Sequence, residues 1–165
     1  CDFQKLNTVF HKQFDCVAST GNSLPYVRND EVMDVISQMD ALVRPGGYLY
    51  LDLRNWDLIQ KTRQRFYLYN PVFDNDIRIN LTQAWDYYED GTMDFNLLFT
   101  FEKENKILQK EIFTEHYYPI SQEMMISKLK QLGYQGISVY RMPAHAGTFE
   151  IEKHDWYSVI GQKPN

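Results

Sequence analysis

The chain has 165 residues, of which 44% are hydrophobic and 24% charged, and a net charge of −5. This length suits one domain with a substantial core, and the acidic balance argues against nucleic acid or an anionic membrane as the main partner. No apolar run approaches the roughly 20 residues that span a bilayer, and no signal-peptide pattern is visible, so a cytoplasmic location is expected.

The first segment, CDFQKLNTVFHKQ, has the pattern of a loop and turn that lead into a strand. A domain rarely begins in this way, so we expect the chain to be the back portion of a longer protein. Residues 14–19, FDCVAS, predict a short strand buried on both faces, with Cys16 as a small core residue. The two cysteines are too few to form a disulfide framework.

Residues 29–44 predict an amphipathic helix that Asn29 or Asp30 caps. The Pro-Gly-Gly sequence that follows predicts a stop, and residues 48–54, YLYLDLR, predict the next buried strand. Within the helix predicted over 29–44, apolar side chains recur on one face, at Val32, Ile36, Met39 and Val43. Strand, helix and strand together predict a βαβ unit with parallel strands and a right-handed crossover.

The pattern changes after a short helix predicted near 56–65. Three segments, 76–90, 92–105 and 106–119, each alternate polar and apolar residues and are joined by hairpin-like connections. They predict an antiparallel three-stranded meander with one exposed face. We expect this insertion, taken as 66–119 within a single domain of residues 1–165, to act as a lid or a subunit contact, and the protein is a candidate homo-oligomer.

The last third of the chain returns to helix and strand. Residues 121–134 predict a helix with Ser121 as N-cap and Gly133 as C′ residue. Residues 136–143 and 154–164 predict two closing strands, paired antiparallel at a sheet edge.

Polar loops follow both predicted parallel strands. Gly-Asn-Ser at 21–23 comes after the first strand, and Arg-Asn-Trp-Asp at 54–57 comes after the second. Ligands of parallel α/β sheets bind beyond the carboxyl ends of the strands, so both loops are predicted to lie on the binding rim. The histidines lack metal-ligand spacing, and neither cysteine has a histidine at motif spacing, so no metal site and no nucleophile are predicted.

These residues carry a resemblance to a known family. The stretches FDCVASTGNSLPYV, LVRPGGYLYLDLRNWD, HYYP, LGY and DWYSVIGQKP resemble class I S-adenosylmethionine-dependent methyltransferases, and more narrowly the glycine and sarcosine N-methyltransferases. The resemblance implies an α/β, Rossmann-like sheet that is partial here. The first strands, the glycine-rich loop and the ribose-holding acid of such enzymes are absent from the sequence.

The resemblance implies S-adenosylmethionine as cofactor and assigns residues to it. Asp2 and Phe3 match the pair that contacts adenine, and Thr20, Gly21, Asn22 and Ser23 match the loop beside the methionine portion. Tyr26 stands where relatives often carry histidine. Glycine at position 21 suits a backbone that approaches a ligand closely.

The resemblance also implies a small amino-acid acceptor. Arg54 matches the arginine that clamps the acceptor's carboxylate, and Asn22 can add a second hydrogen bond, while Tyr67 and Tyr69 lie where a pocket tyrosine is placed. The residues alone leave open that Arg54 is a structural partner of Asp52 or Asp57. Two further readings stay open: a methyltransferase for another small acceptor, and a non-catalytic binding or dimerisation fragment.

Overall fold

The computed structural model describes residues 3–142 and 148–165. It divides into two compact units, one formed by the chain up to Lys61 together with Pro119–Asn165, the other by Thr62–Tyr118. The predicted single domain stays a prediction. Within the described residues, no helix is long and apolar enough to cross a membrane.

The first unit is built on a four-stranded mixed sheet. Its strands are β1 (Phe14–Ser19), β2 (Val43–Arg54), β8 (Gln135–Arg141) and β9 (Trp156–Gln162), arranged in the order β1-β2-β9-β8. The predicted parallel pair is confirmed for β1 and β2, and β9 runs antiparallel to both β2 and β8. The two closing strands are therefore paired as predicted, with β8 at the edge and β9 between two partners.

The predicted burial of β1 is wrong. Its bounds match the prediction, but Asp15, Cys16 and Ala18 are exposed, and only Ser19 is buried. The physical reason is that β1 lies at the edge of the described sheet, where one neighbour instead of two shields it. Cys16 is an exposed thiol and not a core residue.

The helix between the parallel strands is shorter than predicted. This helix, α2, spans Val32–Leu42. A short helix, α1 (Leu6–Val9), lies earlier in the chain, and another, α3 (Trp56–Thr62), lies after β2. The predicted caps are wrong, since Glu31 occupies the N-cap position without a side-chain hydrogen bond and the Asp30 carboxylate pairs with Arg28 at 2.9 Å. The apolar face is confirmed, because Val32, Ile36 and Met39 are all buried.

The predicted stop at Pro-Gly-Gly is wrong, because α2 already ends at Leu42 and Pro-Gly-Gly lies inside β2. Strand β2 already begins at Val43, which pairs with Phe14, and the pairing then shifts so that Cys16 faces Tyr48. Gly46 has a φ of +72°, a conformation that favours glycine, and its N–H donates to the carbonyl of Lys163 at 3.1 Å. Pro-Gly-Gly therefore lies at a β-bulge near the start of β2.

Helix α4 (Gln122–Gln131) begins and ends as the sequence predicts. Ser121 is the N-cap, and its hydroxyl accepts a hydrogen bond from the Met124 N–H at 3.2 Å. Gly133 follows the C-cap residue Leu132 with a φ of +85°, which is the left-handed geometry of a C′ glycine.

The second unit is an antiparallel sheet of five strands. The three long strands of the predicted meander are confirmed as β5 (Ile77–Tyr87), β6 (Met93–Lys103) and β7 (Lys106–Tyr117). Two short strands that the sequence analysis missed, β3 (Phe66–Leu68) and β4 (Val72–Asp74), both pair with β5. They are too short for an alternating pattern to show.

The two faces of this sheet differ in chemistry. One face carries an aromatic row in which Trp85 stacks on Phe95 at 4.4 Å, Phe95 meets Tyr117 at 4.6 Å, and Tyr67 stacks on Trp85 at 6.0 Å. The other face carries hydrogen-bonded polar ladders, such as Thr114 to Asn96 at 2.9 Å. The alternation in the sequence therefore reflects one apolar and one polar face.

Candidate cofactor and substrate site

The two polar loops of the first unit are bonded to each other. The Gly21 N–H donates to Asp52 Oδ1 on β2 at 2.8 Å. The Asn22 side-chain oxygen accepts from the Arg54 N–H at 3.1 Å and from the Trp56 indole N–H at 3.2 Å. The residues that carry the family resemblance therefore form a common structure at the carboxyl ends of β1 and β2.

Asn22 is buried, with 3% of its surface exposed, and its φ is +60°. Asparagine tolerates this left-handed conformation better than most residues, and here its side chain satisfies two donors at the end of β2. The side-chain oxygen of Asn22 is thus engaged within the protein, and a hydrogen bond to an acceptor's carboxylate would have to come from its NH2 group. The substrate and cofactor contacts assigned to Asn22 stay predictions.

Gly21 has a φ of +71°, which by itself favours glycine. A Cβ placed at Gly21 would meet no protein atom within 4 Å, so the space beside this backbone is open on the protein side. The expected close approach of a ligand is compatible with that open space but is not needed to explain the glycine.

The rest of the loop is more exposed. The Ser23 hydroxyl donates to the Thr20 carbonyl at 2.6 Å, which closes a tight turn around Gly21 and Asn22. Tyr26 lies in a short 3-10 helix, Leu24–Tyr26, and is 48% exposed. Thr20, Ser23 and Tyr26 are therefore held at the surface of the rim.

Arg54 ends β2 beside an aromatic ring. Its guanidinium carbon lies 5.2 Å from the ring centroid of Trp156, the residue that pairs with it on β9. The Trp156 indole N–H donates to Asp52 Oδ1 at 3.2 Å. The other acidic residue considered as a partner for Arg54, Asp57, accepts from the Gln122 N–H at 2.9 Å.

A cavity of about 340 Å³ opens at this rim, and its described lining consists of Gly21, Asp52, Met142 and Trp156. Asp52 contributes a carboxylate and Trp156 an aromatic ring, and both of these groups attract cations. The cavity therefore suits a ligand that carries positive charge.

Two strand residues of the first unit carry a buried hydroxyl that has no hydrogen-bond partner among the described residues. One is Ser19 Oγ, at the end of β1 directly before the loop, and the other is the Tyr157 hydroxyl on β9. Burial, to which the Asp57 carboxylate adds, raises the pKa of Tyr157, so that phenol stays protonated. A buried hydroxyl without a hydrogen-bond partner is destabilising. The Ser19 hydroxyl is such a group, and in sequence it directly precedes the loop of the predicted binding rim.

The side chain of Asn55, the residue after Arg54, has a structural role. Its side-chain amide donates to the carbonyls of Ile151 and His154 at 2.7 and 2.8 Å, and its oxygen accepts from the Leu58 N–H at 3.2 Å. Asn55 thereby fixes the segment that leads into β9 and Trp156.

Phe3, one of the two residues assigned to adenine, is not part of this cluster. Asp2 lies outside the described residues. Phe3 begins a 3-10 helix and lines a separate apolar cavity of about 280 Å³ with residues of α1, β1 and α2. The adenine contact therefore stays a prediction.

Tyr67 and Tyr69 belong to the second unit. Their rings lie 5.0 Å apart, and Tyr67 is also stacked on Trp85 as part of the aromatic row. Tyr67 is half-buried and Tyr69 is 40% exposed. Their assignment to a substrate pocket stays a prediction.

Trp156 is a residue of the rim that the sequence pattern does not indicate. It lies 102 positions after Arg54, and the antiparallel pairing of β2 with β9 brings the two side chains together. The number of residues between β9 and the other strands does not indicate which residues of β2 and β9 pair. Asp52 was considered only as an ion-pair partner.

The chain matches no protein-family model and no curated protein sequence. Solved structures do match it. An S-adenosylmethionine-dependent methyltransferase from Clostridium acetobutylicum ATCC 824 is 14% identical with a TM-score of 0.72, and it is matched over 100% of this chain and 63% of its own. The CcbJ methyltransferase from Streptomyces caelestis is 14% identical with a TM-score of 0.72, over 100% and 62%.

A third similar structure is the glycopeptide N-methyltransferase MtfA in complex with S-adenosylmethionine, at 13% identity and a TM-score of 0.55, over 100% of this chain and 59% of its own. The chain thus spans about 60% of the length of these structures. At such identities the similarity shows the fold alone. The chain has the mixed α/β, Rossmann-like fold of the class I S-adenosylmethionine-dependent methyltransferases.

Proposed function

We propose that the protein is an S-adenosylmethionine-dependent N-methyltransferase that methylates the amine of glycine or sarcosine, as in betaine osmolyte synthesis. The observation that carries this proposal is Arg54, which ends β2 at the binding rim of a methyltransferase fold. A guanidinium offers a planar fork of donors that binds a carboxylate bidentately and fixes its orientation. An amino acid held in this way presents its amine in a defined direction.

The residues of the rim fit the proposed cofactor. Asp52 and Trp156 line a cavity suited to positive charge, and a sulfonium or an ammonium group supplies such charge. Gly21 leaves open space beside the loop, and Ser19 offers a buried hydroxyl nearby in sequence. These residues would hold the methionine portion of S-adenosylmethionine.

Bound S-adenosylmethionine supplies an activated methyl group, so the chain's own residues have little covalent chemistry to perform. Their work is to bind the acceptor, to orient its neutral amine and to exclude water. In this proposal Arg54 holds the carboxylate, and the bonds from Asn22 and Asp52 keep the loops around it in place.

A second candidate is N-methylation of a larger acceptor. It is favoured by the similarity to a glycopeptide N-methyltransferase, since one fold accommodates many substrates. The two candidates differ in the need for a free carboxylate next to the amine. A panel of glycine, sarcosine, glycine amide and a glycine-terminated peptide, each tested for methyl transfer, separates them.

Substitution of Arg54 in the full-length protein tests the proposal. Arg54→Lys keeps the charge but loses the fork, and the loss of one charged hydrogen bond, worth about 1.5–3 kcal/mol, lowers kcat/KM for glycine about ten- to a hundredfold. Arg54→Ala should be more severe. The affinity for S-adenosylmethionine should stay within about twofold, as measured by calorimetry.

The matched control is Arg44→Lys at the opposite end of the same strand, where Arg44 pairs with Asp15 at 2.7 Å on the surface. This variant should keep wild-type kinetics. Normal turnover of glycine by Arg54→Lys, or an equal loss of cofactor affinity, would show that Arg54 is a structural residue and that the acceptor assignment is wrong.

A further inference from the structure

Trp156 connects the rim cavity to Arg54. Its ring lines the cavity, it lies 5.2 Å from the Arg54 guanidinium carbon, and its indole N–H is bonded to Asp52. We propose that Trp156 is a positioning residue that holds the Arg54 guanidinium in the orientation needed to bind a small acceptor's carboxylate. This inference rests on the proposed function, because it requires that Arg54 bind the acceptor's carboxylate.

The strand register places the three side chains on one face. Arg54 pairs with Trp156, and Asp52 pairs with Ser158, across the antiparallel strands β2 and β9. Residues two apart on a strand project to the same side, and so do directly paired residues. Asp52, Arg54 and Trp156 therefore share the face of the sheet on which the cavity opens.

Stacking on the ring leaves the guanidinium able to bind a carboxylate. A ring attracts a cation through its face, whereas a carboxylate bonds to the N–H groups along the edge of the guanidinium plane. The two interactions use different parts of the group and are compatible. A long arginine side chain otherwise has many rotamers, so contact with Trp156 reduces the entropy lost when an acceptor is bound.

Two hydrogen-bonded residues keep the ring itself in place. Asp52 accepts from the indole N–H at 3.2 Å and from the Gly21 N–H at 2.8 Å. Asn55 fixes the segment before β9 through the carbonyls of Ile151 and His154. The orientation of the Trp156 ring beside Arg54 is thus supported by the loop after β1 and by the chain that enters β9.

Binding of glycine to the full-length protein, with S-adenosylhomocysteine present, tests the inference by calorimetry. Trp156→Leu removes the ring and should weaken glycine binding about three- to thirtyfold. Trp156→Phe keeps an aromatic face and should stay within about threefold of wild type. As a control, Tyr48→Leu removes an exposed aromatic side chain from β2, at the end of the β2–β9 pairing away from Arg54 and Trp156, and should leave binding unchanged.

A double-mutant cycle separates positioning from a general structural effect. In an Arg54→Met background no cation remains for the ring to hold, so adding Trp156→Leu should change glycine binding by less than about twofold. A purely structural role, or direct contact between Trp156 and the acceptor, would instead give the full loss in both backgrounds, and either result would overturn the inference.

The outcomes for the two proposals can be told apart. If Arg54→Lys weakens glycine binding and Trp156→Leu does not, the positioning role is wrong while the proposed function stands. If glycine binds and both variants weaken it, but no methyl transfer occurs, the proposed function is wrong and the positioning role stands. If the wild-type protein binds no glycine, both are wrong.

Discussion

At the scale of single residues, Asn22 fixes the rim through one side-chain oxygen that serves two donors. Asn22→Ala removes the acceptor that the Arg54 N–H and the Trp56 indole N–H share, and it places alanine at a φ of +60°. We expect the free energy of unfolding to fall by about 2–4 kcal/mol in urea denaturation.

Asn22→Asp is the matched control, because it keeps an acceptor oxygen and tolerates positive φ. It should lose less than half as much stability as the alanine variant. Equal losses for the two variants, or a loss below about 0.5 kcal/mol for alanine, would mean that these bonds contribute little to holding the loop.

The sequence pattern was sufficient to predict Gly21, Asn22 and Arg54 as residues of the rim, but it did not predict which residues they contact. Their types and spacing predicted a polar rim after two parallel strands, and the structure places them together there. The bonds from Asn22 to the end of β2, and from Asn55 to the segment before β9, join residues that are far apart in sequence. Such pairs depend on register, which local pattern does not encode.

At the scale of elements, the start of α4 has two side-chain acceptors, the Ser121 hydroxyl at the N-cap and the Asp57 carboxylate on the Gln122 N–H. Ser121 accepts from the Met124 N–H at 3.2 Å, and Ser121→Ala should lower the free energy of unfolding by about 1 kcal/mol. Ser121→Asp retains an acceptor at the positive end of the helix and should keep wild-type stability. Thermal and urea unfolding measure the stability of both variants. An unchanged unfolding midpoint for Ser121→Ala would argue against a stabilising N-cap at Ser121.

The sheet of the second unit carries an acid-sensitive contact. Asp94 accepts from the Tyr88 hydroxyl at 2.6 Å and lies 2.6 Å from His116 Nδ1. Burial raises the pKa of Asp94, but the hydrogen bonds from Tyr88 and His116 outweigh it and hold that pKa below its ordinary value.

A carboxyl group whose pKa is lower in the folded chain contributes stability above its unfolded pKa, near 3.9, and loses it as the pH falls through the folded pKa. Asp94→Asn should therefore make the stability less dependent on pH below about pH 4. Tyr88→Phe, which removes one donor, should have an intermediate slope in urea unfolding between pH 2 and 6. An acid slope unchanged by Asp94→Asn would contradict this account.

Elements were predicted best where the period was long and unbroken. Strands β5, β6 and β7 and helix α4 follow their sequence patterns closely, because each repeats over at least ten residues. Strands β3 and β4 have three residues each and show no period. The burial of β1 was overestimated because an apolar run does not reveal whether its strand lies at the edge of a sheet.

At the scale of the whole molecule, the fold is that of the class I S-adenosylmethionine-dependent methyltransferases. The fold alone does not fix the substrate. The polar rim at the ends of β1 and β2, with Arg54 against Trp156, supports a small carboxylate-bearing amine.

The most direct test of the central claim is methyl transfer by the full-length protein from S-adenosylmethionine labelled in its methyl group, with the products identified by mass spectrometry. With glycine or sarcosine as acceptor, the account predicts a labelled N-methyl product, and with glycine amide, which lacks the carboxylate, transfer reduced at least about tenfold. Equal labelling of glycine amide, or no labelling of either amino acid under conditions where another amine is methylated, would contradict the account.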